Sequence, residues 1–172
     1  MKILWSRKIL IFIFFLTSIF FITDVSHAQK ENTRLDLKTT GEKEVKVKKD
    51  GKVEIKRVPL DKASPGDVVV YTITYSNVGK GDILDANIVD PIPQGVRYIA
   101  ETAEGKDAEV MYSIDNGRSW QKPPVMMQIK KPDGSQESKP APAERYTHVK
   151  WVIKKPVLPG QSGRVSFKVT VK

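Results

Sequence analysis

The sequence predicts an all-β protein built as a Greek-key β-sandwich, and three observations carry that expectation. Apolar side chains recur with period two. Val69, Tyr71, Ile73 and Tyr75 alternate with Val70, Thr72 and Thr74, and Val165, Phe167, Val169 and Val171 alternate with Arg164, Ser166, Lys168, Thr170 and Lys172. Successive side chains on a strand point to opposite faces, so each run offers one apolar and one hydrated face. Pro65-Gly66, Asp50-Gly51, Asn116-Gly117 and Pro159-Gly160 punctuate these β-branched and aromatic runs as turns. No 3.6-residue apolar period persists after the first 28 residues.

Those first residues read as a signal peptide over 1–28. Lys2, Arg7 and Lys8 precede an apolar run from Ile9 to Ile22, and Ser26-His27-Ala28 supplies a small-x-small end. The run is shorter than the roughly 20 residues of a membrane span, which leaves a retained leader as the alternative. Cleavage would leave 144 of the 172 residues. Three of the 29 basic and one of the 20 acidic residues would go with the leader, giving a mature charge of +7. Cysteine is absent, so burial rather than disulfides has to hold the fold.

Residues 29–43 are polar apart from Leu35 and Leu37 and are expected to be a flexible tail. The single domain then spans 44–172, opening with a hairpin over 44–58 around Asp50-Gly51. A three-residue loop, Lys49-Asp50-Gly51, pairs Val47 with Val53 and Val45 with Ile55. A two-residue turn pairs Val47 with Glu54 instead. The first register separates apolar from charged side chains, with Lys46, Lys48, Lys52 and Glu54 on the hydrated face, and is the expected one.

After the strand Val68–Tyr75, a turn beginning Asn77-Val78-Gly79 leads to a strand from Ile83 to Val89, with Leu84, Ala86 and Ile88 on one side. Asp90-Pro91-Ile92-Pro93 ends it, because proline cannot donate to a ladder. Gly95 turns the chain into Val96–Ile99, with Val96 and Tyr98 inward, and Val110, Tyr112 and Ile114 alternate in the next strand. Val125–Ile129 is a short strand, and 131–144, with Pro132, Pro140 and Pro142, is expected to be an exposed loop. Val149, Trp151 and Ile153 align inward, with Tyr146, His148 and Lys150 opposite.

The ordered set Pro65-Gly66-Asp67, Asn77-x-Gly79, Asp90-x-x-Pro93-x-Gly95 and Pro159-Gly160-x-x-Gly163 resembles the bacterial conserved-repeat family called domain of unknown function 11. The resemblance covers about Ser64 to Lys172. It implies an immunoglobulin-like Greek-key sandwich, here a single copy preceded by a signal peptide and a basic β-hairpin. It also implies residence in exported envelope or surface proteins. That family has no established catalytic residues, so none carries over.

Ser113-Ile114-Asp115-Asn116-Gly117-Arg118-Ser119-Trp120 resembles the Asp-box of sialidase propellers. As function, it would suggest glycan binding or processing. As structure, it is a turn in which Asp115 accepts backbone N–H groups, Gly117 takes positive φ and Trp120 packs beneath. A single copy cannot make a propeller, so the structural reading is preferred. His148 is the one histidine after the leader, too few for a zinc site, and no metal, cofactor or catalytic set is expected. Nucleic acid is not expected as a partner.

The basic residues Lys46, Lys48, Lys52, Lys56, Arg164 and Lys168 are the expected contact surface, with the final strand as an open edge. Pro65, Gly66, Asn77, Asp90, Pro93, Gly95, Asp115, Gly117, Trp120, Pro159 and Gly160 are read as structural turns. The function expected is that of an exported, non-catalytic envelope module touching envelope proteins or anionic polymers. Membrane contact is open at the surface or through a retained leader.

Overall fold

The computed structural model describes residues 32–172, so the expected signal peptide and the start of the expected tail lie outside the described residues. The strands are β1 (Leu35–Lys49), β2 (Lys52–Pro59), β3 (Val68–Asn77), β4 (Asn87–Pro91), β5 (Val96–Tyr98) and β6 (Glu104–Gly105). β7 (Ala108–Ser113), β8 (Met126–Lys130), β9 (Gln136–Pro140), β10 (His148–Ile153) and β11 (Ser162–Val171) complete the set. Two antiparallel sheets face each other as a sandwich. The larger has six strands in the order β2-β1-β3-β11-β5, with β6 also on β11, and the smaller runs β4-β10-β7. The chain changes sheet between β3 and β4, β4 and β5, β6 and β7, and β10 and β11, so strand neighbours are mostly distant in sequence.

The core lies where β3 and β11 meet β10. Val69, Ile73, Val165, Phe167 and Val169 pack against Val149, Trp151 and Ile153, all almost fully buried. Burial of side chains this size stabilises by about 1.5–3 kcal/mol each. At one end of this core the hydroxyls of Tyr98 and Tyr112 hydrogen-bond each other at 2.8 Å. Burial, with that bond, raises the Tyr112 pKa above its usual value. Tyr146 joins them, its ring centroid 4.8 Å from that of Tyr112. The expected outward Tyr146 is therefore corrected: β10 begins at His148, and its alternation does not extend back to Tyr146.

Four further expectations change. The tail over 29–43 gives way at Leu35 to β1, which pairs with β3 from Leu35↔Asn77 to Glu44↔Val68. Its composition misleads because β1 sits near the sheet edge, where both faces are largely hydrated; Leu37 is 49% exposed.

The hairpin has a two-residue turn, with Val47 opposite Glu54 and Lys46 opposite Ile55. Asp50 (φ 50°) and Gly51 (φ 76°) both take positive φ, the type I′ geometry whose twist matches antiparallel strands. Separating apolar from charged side chains brings nothing here, since Val53 and Ile55 remain 60% and 63% exposed. As a result Lys46 and Lys48 lie on one face, and Lys52, Glu54 and Lys56 on the other.

The run Ile83–Val89 is broken by Asp85 at φ 50°, so Ile83 bridges Val157 while Leu84 points to solvent. The expected loop 131–144 contains β9, which pairs with β8 across an Asp133-Gly134-Ser135 turn. Pro132 precedes that strand and Pro140 is its last residue, so neither interrupts it, and only Ala141 beyond it is buried. A 3-10 turn, Ala143–Arg145, follows.

Candidate functional site: the outer face of the larger sheet

Four strands and part of a fifth build the face turned away from the core. The register sets Lys38 beside Thr74 and Thr74 beside Arg164. The next row runs Thr40, Thr72, Ser166 and Glu104, and the row after it Glu42, Val70 and Lys168. Side chains directly opposite across antiparallel strands share a face with Cβ atoms about 5 Å apart, so these rows form a continuous patch. Inward anchoring by Ile73, Val165 and Phe167 fixes the outward direction of Thr72, Thr74, Arg164 and Ser166.

The patch is concave, a depression of about 740 Å³. Its floor carries the hydroxyls of Thr40, Thr72, Thr74 and Ser166; its rim carries four cations, Lys38, Arg57, Lys106 and Arg164, against two carboxylates, Glu42 and Glu104. Ser166 Oγ donates to Glu104 Oε1 at 3.0 Å, and Arg57 Nε lies 3.9 Å from Glu44 Oε1. Among the described residues, no carboxylate lies within 4 Å of Lys38, Lys106 or Arg164. An anion crossing the strands would meet cations at both ends of the Lys38–Thr74–Arg164 row and the Thr74 hydroxyl between them.

The six expected contact residues divide. Lys46, Lys48, Arg164 and Lys168 share this outer face, while Lys52 and Lys56 lie on the opposite side of the hairpin. Lys168 is already engaged, its Nζ 2.7 Å from Glu44 Oε1. β11 is no open edge, being flanked by β3 on one side and by β5 and β6 on the other; β2 forms one edge of the sheet, and β5 and β6 lie at the other. Sequence reasoning misses Lys38, Thr40 and Lys106. The alternation of Lys38, Thr40 and Glu42 with Thr39 and Gly41 is the signal that could have found the first two.

The turn residues act by hydrogen bonding. Asp67 Oδ2 accepts from the Ser64 N–H at 2.8 Å and from Lys43 Nζ at 3.2 Å. Those two contacts, the Ser64 N–H first, hold the Asp67 carboxyl below its usual pKa. Gly66, at φ 90°, donates to Val171 O, tying the turn to the end of β11. Asp115 receives Ser113 Oγ at 2.7 Å, Ser119 Oγ at 2.6 Å and the Ser119 N–H at 2.9 Å, which lower its pKa well below the usual range. Trp120 lies against Gly117, edge-on to His148, with Lys150 Nζ 4.6 Å from its ring centroid.

Among the described residues there is no group of three His, Cys, Asp or Glu side chains arranged to hold a metal. Comparison with protein-family models, curated proteins and solved structures finds no match to this chain.

Proposed function

We propose that the chain is an exported, non-catalytic envelope module that binds an anionic polymer, or an acidic stretch of an envelope protein, on the outer face of its larger sheet. One observation carries the reading: a hydroxyl-floored depression with Lys38 and Arg164 facing across it, neither engaged by a carboxylate among the described residues. Cations without local partners keep their field available to an incoming anion, and the Thr72 and Thr74 hydroxyls supply donors without adding charge. Export rests on the leader-like amino terminus, and the envelope on the resemblance of the ordered turn motifs to the conserved-repeat family. The glycan-binding alternative has only the Asp115 turn to support it, and that carboxylate already serves Ser113 and Ser119.

The test is retention of the purified protein on immobilised polygalacturonate and on envelope extract. Salt-sensitive retention that disappears in Lys38→Glu/Arg164→Glu, with the fold intact by circular dichroism, is the expected result. Retention unchanged by both salt and the double reversal would refute the assignment.

A further inference from the structure

The free edge of β2 has a property that its lysine-rich sequence conceals. Lys49 and Lys52 flank a two-residue turn, so they form the hydrogen-bonded pair beside it, and the bonded positions on β2 are the even ones. The Leu60 N–H donating to Gly41 O at 3.1 Å keeps the same phase beyond the end of the strand. The N–H and C=O groups of Val53, Ile55 and Arg57 therefore point away from β1. Among the described residues, β2 has no neighbour on that side, and every residue from Lys52 to Arg57 is exposed.

We propose that this edge pairs with the same edge of a second copy of the chain, antiparallel and centred on Ile55. The two larger sheets then become one continuous sheet across a twofold axis. In this register Val53, Ile55 and Arg57 face Arg57, Ile55 and Val53 of the second copy. All three are hydrogen-bonding positions, giving about six backbone bonds. The side chains agree with the backbone. Glu54 falls opposite Lys56 of the second copy, and Lys56 opposite its Glu54, so two complementary charge pairs flank the axis on one face. Ile55 meets its own counterpart on the other face, covering an apolar side chain that is 63% exposed in the single chain.

Neighbouring registers are penalised by the same residues. Centring on Glu54 opposes Glu54 to itself and Lys52 to Lys56. Centring on Lys56 opposes that lysine to itself and sets Pro59, which has no N–H, against Val53. Like charges directly opposite on paired strands are destabilising. The lysines that guard this edge against indiscriminate strand addition thus leave one self-complementary alignment.

The axis runs through the sheet, so both concave outer faces open on the same side. A long ligand reaching one depression would have the second nearby, a geometry that raises avidity. The pairing itself stands on β2 alone and does not depend on what the depression binds.

Molar mass in solution, measured by light scattering over a concentration series, tests the pairing. The unsubstituted protein is expected to be dimeric. Glu54→Lys and Lys56→Glu each place like charges opposite one another and should lose the dimer; Glu54→Lys/Lys56→Glu restores both pairs and should regain it. Ile55→Pro removes an outward N–H that β1 does not use, and should give a folded monomer. Because the chain has no cysteine, Ile55→Cys should crosslink to a single symmetric product on mild oxidation. A monomer throughout the series would overturn the proposal. So would a dimer indifferent to the single charge reversals, since that dimer would have to use another surface.

Discussion

Asn77 illustrates how one polar side chain holds several segments together. Its Nδ2 donates to Gly81 O at 2.8 Å and to Val157 O at 2.7 Å, and its Oδ1 accepts the Gly79 N–H at 2.9 Å. With 1% of its surface exposed, water cannot replace these partners on deletion. Asn77→Ala should cost about 3 kcal/mol, the penalty for stranding buried polar groups, read as a shift in the urea midpoint.

Asp115 works with the opposite dependence on burial, through contacts at the surface. Its folded pKa lies below its unfolded value, because Ser113 Oγ and then Ser119 Oγ and N–H donate to the carboxylate. The stabilisation is therefore complete above the usual aspartate range near pH 4 and drains away as pH falls through the folded value. The stability gap between the unsubstituted protein and Asp115→Asn should be widest at neutral pH and close in acid. A gap that persisted unchanged at pH 2 would argue that the asparagine perturbs the turn by shape rather than charge.

At the scale of elements, β1 shows how a strand next to the edge is seated. A Cβ at Gly79 would come within 2.2 Å of Asn32 O and 2.6 Å of Arg34 N, so the absent side chain lets the chain before β1 lie directly on the β3–β4 turn. The Val78 N–H donates to Arg34 O and the Lys80 N–H to Asn32 O, both at 2.9 Å, completing that contact. Gly79→Val should therefore unseat the amino-terminal half of β1 before it disturbs the core. Faster amide exchange confined to Leu35–Thr40, with β3, β10 and β11 still protected, is the expected pattern. The Asn77-x-Gly79 motif is thus two devices: a buried amide that gathers carbonyls and a gap that admits backbone.

For the whole molecule, the division of labour follows the two faces of the larger sheet. The inner face supplies the core, while the outer face carries hydroxyls and cations at positions the core does not constrain. Binding through that outer face should weaken with ionic strength, since the Debye length shrinks to about 8 Å at physiological salt and exposed charges are screened beyond it. Plotted against salt, retention of the unsubstituted protein should fall steeply and that of Lys38→Glu/Arg164→Glu should be flat. Lys168→Gln should change the slope less, because Lys168 is already paired with Glu44.

Alternation in the sequence was enough to place Val69, Ile73, Val165, Phe167, Trp151 and Tyr112 inside two β layers, because facing is decided within a strand by the geometry of successive residues. The positive-φ turns at Gly66, Gly95 and Gly160 were readable for the same local reason. Strand adjacency was not. That β1 lies on β3, that β11 is internal and that β2 forms an edge depend on pairings between distant segments, on which period-two patterning is silent. The hairpin register escaped because local turn geometry at Asp50-Gly51 outweighed a separation of faces that no overlying sheet rewards. The depression over Thr72 and Ser166 belongs to the same class: it exists only once Lys38, Thr74 and Arg164, remote in the chain, are set side by side.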